Sequence, residues 1–410
     1  MTAKLPESLA TGPVPAGNPE DKEGFDTAAV VTIASAHFVH DVYTAFLGPL
    51  LPVIIEKLAI PLTAAGGLAT ILRAFSLVQP FLGVLADRAD MRIFVIIAPS
   101  VTALAMSLIG IAPDYLSLAV LLAIAGLSSA AFHPTAASAV SHSSGARSGR
   151  GSSLYMFGGE GARSVGPMII VAIVTYFGLQ YTYLAAIPGV LFSVLLYFQL
   201  RDRSSARVVG ASARGIWSAM KAQKRPLLLL GGLILFRSTA VQSIATFYPT
   251  FLTGRGSSLM YAGIALGTYE AAGAVGALFG GTLSDRFGRK SLMLLSQAVA
   301  GPLMFAALVL PEGPLNLAVM AVAGALALSA SPVQLTLAQE LLPGGRSTAA
   351  GIVFFLGFEG TLVSTLAVGA AGDLFGLGPA LGAAAVASML SIPFTMALPE
   401  TSPRPDSGHA

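Results

Sequence analysis

The sequence predicts an all-α membrane protein: twelve transmembrane helices in two pseudo-symmetric six-helix bundles. Three observations predict it. Of 410 residues, 54% are hydrophobic and only 10% are charged, against about 25% charged in an ordinary soluble domain. Apolar runs of about 20 residues, each long enough to span a hydrocarbon core, recur along nearly the whole length. The polar stretch Gly83-Val-Leu-Ala-Asp87-Arg88-Ala-Asp90-Met91-Arg92 returns as Gly281-Thr-Leu-Ser-Asp285-Arg286-Phe-Gly288-Arg289-Lys290, and 285 − 87 = 198 residues is nearly half the chain. The chain therefore reads as two copies of one design.

Spans are expected at 27–57, 63–86, 92–111, 115–141, 149–177 and 179–200, then at 226–253, 259–284, 290–310, 314–341, 346–373 and 378–398. Several exceed the bilayer thickness, so tilt is expected. The domain reading is a disordered tail over 1–26, a first bundle over 27–200, a linker over 201–225, a second bundle over 226–398 and a tail over 399–410. Met1–Phe25 is polar and has no apolar core, so it is not a signal peptide. A membrane β-barrel is excluded because its strands would alternate rather than run apolar.

The linker carries Arg201, Arg203, Arg207, Arg214, Lys221, Lys224 and Arg225 against a single Asp202. Both polar hairpins are basic too. Positive-inside logic places these loops and both termini in the cytoplasm. Trp217 in the linker suits a helix lying along the membrane surface. The net charge of +3 is loop charge rather than a nucleic-acid footprint. Cysteine is absent, so thiol chemistry and Fe–S clusters are excluded.

The halves align beyond the hairpins. Pro134 matches Pro332, Arg147 matches Arg346, and Glu160 matches Glu359 at offsets of 198, 199 and 199. The duplicated Gly-x-x-x-Asp-Arg-x-Gly-Arg-Lys hairpin resembles the signature loop of the major facilitator superfamily, over residues 27–398. The first copy departs from it at Asp90 and Met91. Within that superfamily the chain is similar to the fosmidomycin-resistance type of efflux transporter, on His37-Phe-Val-His40-Asp41, Phe132-His133-Pro134 and Gly158-Gly159…Gly166-Pro167. Gly161-Ala162…Gly166-Pro167 partly resembles the glycine/proline motif of antiporters. The resemblance implies the major facilitator fold, a monomer in a bacterial inner membrane, no cofactor, and export of a small drug-like compound.

An ionisable side chain at a membrane-helix centre costs about 2.5–3.5 kcal/mol on insertion scales. His37, His40, Asp41, Arg73, His133, Glu160, Arg163, Arg237, Glu270 and Glu359 all fall well inside predicted spans. Together they call for a polar central cavity. His37 and Asp41 share a helix face at i,i+4, either as a proton relay or with Asp41 merely orienting His37. Arg73 is read as a substrate anchor, since a guanidinium forks onto carboxylate or phosphonate. The alternative makes it a structural partner of Asp41 or Glu160. Glu160 and Arg163 are neighbours on one helix, either neutralising each other or releasing Glu160 to take a proton. His133 precedes Pro134 and either lines the cavity or caps a kink. Glu359 either lines the cavity or bonds a neighbouring helix. Gly83, Asp87, Arg88, Gly281, Asp285 and Arg286 form a cytoplasmic gate, or set topology as solvated loop charges.

The function expected is proton-coupled antiport exporting a small anionic or zwitterionic compound by alternating access. The partners are protons, the substrate and the lipid bilayer. A proton symporter importing an organic acid or sugar is the rival. A membrane-embedded metal enzyme is disfavoured, because His37 and Asp41 with one distant histidine make a poor site, and no metal is expected. A signalling receptor would need a larger soluble domain than 201–225 provides.

Overall fold

The computed structural model describes residues 24–79, 81–82, 92–144, 148–201, 221–341 and 346–400. Among them the regular elements are all helical. Among the described residues eleven helices are long and apolar enough to cross a membrane, and the shorter apolar helix Leu62–Val78 stands where the second span is expected. The hairpin with Gly83, Asp87 and Arg88 lies outside the described residues. So do most of the linker and both extreme tails.

The first expected span is broken in two, α1 (Thr27–Thr44) and α2 (Leu47–Leu58). Pro49 has no N–H to give the carbonyl of Ala45, and its ring crowds that carbonyl. Phe46 N instead bonds Tyr43 O at 3.0 Å, a tighter turn. α3 (Leu62–Ala74) passes into a 3-10 turn over Phe75–Val78. Then come α4 (Arg92–Leu108), α5 (Tyr115–Ser143), α6 (Ser148–Phe177) and α7 (Ala186–Leu200). The second half is α8 (Lys224–Gly254), α9 (Leu259–Phe287), α10 (Arg289–Val309), α11 (Pro314–Leu341), α12 (Arg346–Phe375), α13 (Leu377–Ser388) and α14 (Ser391–Ala397). The repeat also shows in the backbone. Gly178 (φ 98) and Gly376 (φ 87) start the sixth and twelfth spans in conformations that side chains resist, and 376 − 178 = 198.

The halves meet at the face remote from both chain ends. There α3 begins at Pro61, which offers no side-chain cap. Asp373 of α12 caps it from the other half. Its carboxylate accepts Leu62 N at 2.7 Å, Thr63 N at 2.8 Å and Thr63 Oγ1 at 2.5 Å. One turn deeper Gly66 lies so close to the Thr365 carbonyl of α12 that any side chain there would collide. The buried core is continuous across this contact, joining Leu50 and Leu51 of α2 to Phe247 and Tyr248 of α8.

Toward the other face the halves part. Met168 of α6 lies against Gly267 of α9. Phe157 is three turns before Met168 on the same helix face (168 − 157 = 11), and Leu278 is three turns after Gly267 (278 − 267 = 11). Yet Phe157 is 57% exposed and Leu278 54% exposed. The contact that α6 and α9 make at Met168 and Gly267 thus does not extend to Phe157 and Leu278, and the two helices separate toward the chain ends.

Candidate functional site

α1 buries His37, His40 and Asp41 together. The i,i+4 pairing is as the spacing predicts: His37 Nε2 lies 3.3 Å from Asp41 Oδ2. His40 Nδ1 donates to Asp41 Oδ1 at 2.8 Å, and its ring stacks on Phe132 with centroids 4.4 Å apart. His133 of α5 completes the group, with Nε2 3.3 Å from Asp41 Oδ1. The expectation of a distant histidine is thereby corrected. The sequence separation hid a helix contact that brings α5 against α1.

His133 does not cap the carbonyl that Pro134 frees, which belongs to Ala130. Its Nδ1 donates instead to Ser129 O at 2.8 Å. His37 Nδ1 donates to Tyr155 O at 2.7 Å. A carbonyl only accepts, so both rings carry their proton on Nδ1. When neutral, each turns an Nε2 lone pair toward a carboxylate oxygen, acceptor against acceptor. These contacts are attractive only with a cation between them.

The seat of His37 depends on Gly159. A Cβ at that position would stand 2.5 Å from His37 Cε1 and 2.7 Å from Nε2. The His37 ring also stacks on Tyr155 at 4.0 Å. Neither the Tyr155 carbonyl nor the clearance at Gly159 has a signature in the side-chain sequence, although Gly158-Gly159 is part of the motif quoted above.

A second charged group bridges the two halves. Arg163 of α6 pairs with Glu160 one turn earlier, and its Nε lies 3.9 Å from Glu270 Oε2 of α9. Glu160 Oε2 is buried without a partner. Two carboxylates thus share one guanidinium. Arg73 at the end of α3 is half-buried and within electrostatic reach of Asp41, Arg163 and Glu270. Among the described residues it makes no ion pair with Asp41 or Glu160. Arg73 and Glu270 sit at matching depths, 73 − 62 = 11 and 270 − 259 = 11 residues into their helices, about 16 Å below the closed face at 1.5 Å per residue.

Arg237 of α8 is turned into its own half. Its Nε donates to Ala327 O at 3.2 Å and its Nη2 to Ser331 Oγ at 2.8 Å. Arg237 and Ser331 stand at the repeat positions of His37 and His133 (237 − 37 = 200, 331 − 133 = 198), and Val241 at that of Asp41. One half carries a fixed cation where the other carries imidazoles and a carboxylate. Glu359 lies on α12, and its side chain is outside the described residues.

At the face with the chain ends, Asp285 pairs with Arg289 at 2.9 Å, within the same half. Arg289 is the hub: it donates to Glu340 of α11 at 2.8 Å and to Ser284 Oγ at 2.9 Å. Glu400 accepts from the backbone N–H groups of Arg289 and Lys290 at 3.2 Å each. Gly281 O accepts from Ser284 Oγ at 2.7 Å and Arg286 is exposed. The sequence reading singled out Asp285 and Arg286 and passed over Arg289, although it belongs to the same motif.

The sequence model of the Major Facilitator Superfamily matches residues 33–365. The chain is 27% identical over 374 residues to the Uncharacterized MFS-type transporter YfnC of Bacillus subtilis (strain 168), covering 88% of this chain and 91% of that one. It is 26% identical over 337 residues to the Fosmidomycin resistance protein of Escherichia coli (strain K12), covering 80% and 82%. Among solved structures, a bacterial homolog to the human lysosomal transporter Spinster, in an inward-facing and unoccupied conformation, superposes with a TM-score of 0.73 at 15% identity, over 91% of this chain and 95% of that one. The nucleoside transporter NupG, in a mutant form, gives 0.72 at 14% identity, over 90% and 99%. At such identities these two establish the shared fold.

Proposed function

The chain belongs to the Major Facilitator Superfamily of membrane transporters, and from that premise we propose that it exports a small anionic or zwitterionic compound in exchange for protons. The observation that carries this reading is the partnering of the arginines. Arg163 is held by Glu160 and Glu270, while Arg73 has no carboxylate within ion-pair distance among the described residues. A guanidinium held without a counter-charge at membrane depth is costly. An anionic group of the substrate supplies that counter-charge.

The sign of coupling follows from the acids. A purely anionic ligand on Arg73 and a proton on Glu270 would stabilise each other, which is the logic of symport. Exchange requires that the ligand also present a cationic or hydrogen-bond-donating end. That end displaces the proton from the Glu160–Arg163–Glu270 group, whose unpartnered Glu160 Oε2 is ready to accept it. A zwitterion, or an anion with a donor end, meets both demands. The likeness to a fosmidomycin resistance protein supports a drug-like substrate.

Positive-inside orientation places the open face in the cytoplasm, so this state loads substrate from inside. Rocking of 27–200 against 226–398 then presents the site to the far side. A membrane potential contributes about 2.3 kcal/mol per charge per 100 mV, enough to bias a two-state equilibrium about fifty-fold. The test uses inside-out vesicles energised acid inside, to which phosphonates, amino acids, simple carboxylates and cationic drugs are added while internal pH is followed. The proposal expects proton efflux on adding a zwitterionic or donor-bearing anion. Proton uptake with simple carboxylates alone would establish the symport rival instead.

A further inference from the structure

We propose that His37, Asp41 and His133 bind a divalent first-row metal ion, with Zn²⁺ the best match to their donors. The three side chains each bring one ligand atom into a group spanning no more than 4.8 Å. Zinc holds imidazole nitrogen at about 2.0–2.1 Å and carboxylate oxygen at about 2.0–2.2 Å. Neighbouring donors around a tetrahedral ion therefore stand about 3.3–3.5 Å apart. His37 Nε2 stands 3.3 Å from Asp41 Oδ2 and His133 Nε2 stands 3.3 Å from the other oxygen, Oδ1, so the carboxylate would chelate the ion through both oxygens or turn one of them to face both rings.

The surroundings argue the same way. A metal-ligating histidine typically gives its other N–H to a carbonyl or carboxylate, which fixes the tautomer. His37 does so to Tyr155 O and His133 to Ser129 O. A ligating carboxylate is itself hydrogen-bonded, and His40 Nδ1 donates to Asp41 Oδ1. The lone pairs that oppose one another in the bare cluster would all point at the ion. The other half places the Arg237 guanidinium at the position equivalent to His37, so a positive charge is the common requirement at this depth of both repeats.

The two α1 ligands are closed off, with side chains 6% exposed, whereas His133 is 28% exposed. The ion thus enters past His133, and its remaining coordination position takes water or an oxygen of an anionic ligand. This inference stands on the cluster alone and does not depend on the direction or coupling of transport.

The test is titration of the purified full-length chain, carrying a tag without histidine and stripped by chelator, with Co²⁺. Visible d–d absorption reports coordination. The expected result is one saturable equivalent with the intensity of a four- or five-coordinate site, displaced by Zn²⁺, and a rise in melting temperature with Zn²⁺. Removing His142 and His409, the other two of the five histidines, leaves the band in place. His133→Ala weakens binding at least tenfold and abolishes the melting shift. If that variant does not melt cooperatively, Asp41→Asn, of nearly equal size, is read in its place. Wild-type protein that melts cooperatively but shows no saturable one-to-one band overturns the proposal. So does a band unchanged in a folded His133→Ala or Asp41→Asn protein, because the cluster then holds only protons.

Discussion

Replacing Asp373 with alanine should open the closed face. The carboxylate accepts three hydrogen bonds from Leu62 and Thr63 of the opposite half. Hydrogen bonds to a charged group contribute about 1.5–3 kcal/mol each in sheltered settings. These are exposed, and solvent screening reduces them. Substituting a helix cap costs about 0.5–2 kcal/mol, so a total of about 1–2 kcal/mol is expected. Each 1.4 kcal/mol is tenfold, so the equilibrium should move about 5- to 30-fold away from the closed state. The chain has no cysteine, which makes paired spin labels simple to place. Glu56→Cys and Glu312→Cys put labels on exposed positions of the two halves at this face. Double electron–electron resonance should show a longer-distance population growing in Asp373→Ala. Thr63→Val, which removes one bond of the three, should give a smaller shift. An unchanged distance distribution in Asp373→Ala would refute the reasoning that this cap holds the halves together.

Three further outcomes follow from the geometry. Gly159→Ala drives a methyl into the His37 ring and should cost about 1–3 kcal/mol, the range for overpacking a filled site; a thermal melt checks the stability and His37 ¹⁵N chemical shifts check its displacement. Arg289→Ala removes the partner of Glu340, Ser284 and Asp285. Breaking a buried ion pair costs about 3–5 kcal/mol, and the partial exposure of Glu340 lowers that to about 2–4 kcal/mol, visible as a drop in melting temperature. Arg73→Ala should abolish transport of anionic compounds while sparing neutral ones; equal loss of both in uptake assays would show a structural role instead.

The spans were legible because hydropathy over about 20 residues is a strong local signal. The His37–Asp41 contact was legible because helix periodicity fixes it. The break at Pro49 is a local effect the span reading overlooked. The rest depends on contacts between helices distant in sequence. No local pattern tells that His133 meets Asp41, that Arg163 reaches Glu270, or that Asp373 caps a helix whose own N-cap is proline. Backbone carbonyls of Tyr155 and Ser129 fix the imidazole tautomers, and a carbonyl belongs to every residue alike. Arg73 is a case where geometry adds what the sequence lacks: among the described residues no carboxylate stands within ion-pair distance of it, which favours the anchor reading over the structural one.

The most direct test separates substrate exchange from proton movement in proteoliposomes carrying the best compound from the vesicle panel. With wild-type protein, adding substrate on the open side should both drive counterflow of labelled substrate and release protons. In Glu270→Gln the side chain keeps its size but no longer exchanges a proton. Counterflow should persist there while the substrate-triggered pH change disappears. Proton release of wild-type size in a Glu270→Gln protein that still exchanges substrate would contradict the account, since the Glu160–Arg163–Glu270 group would then not carry the coupling.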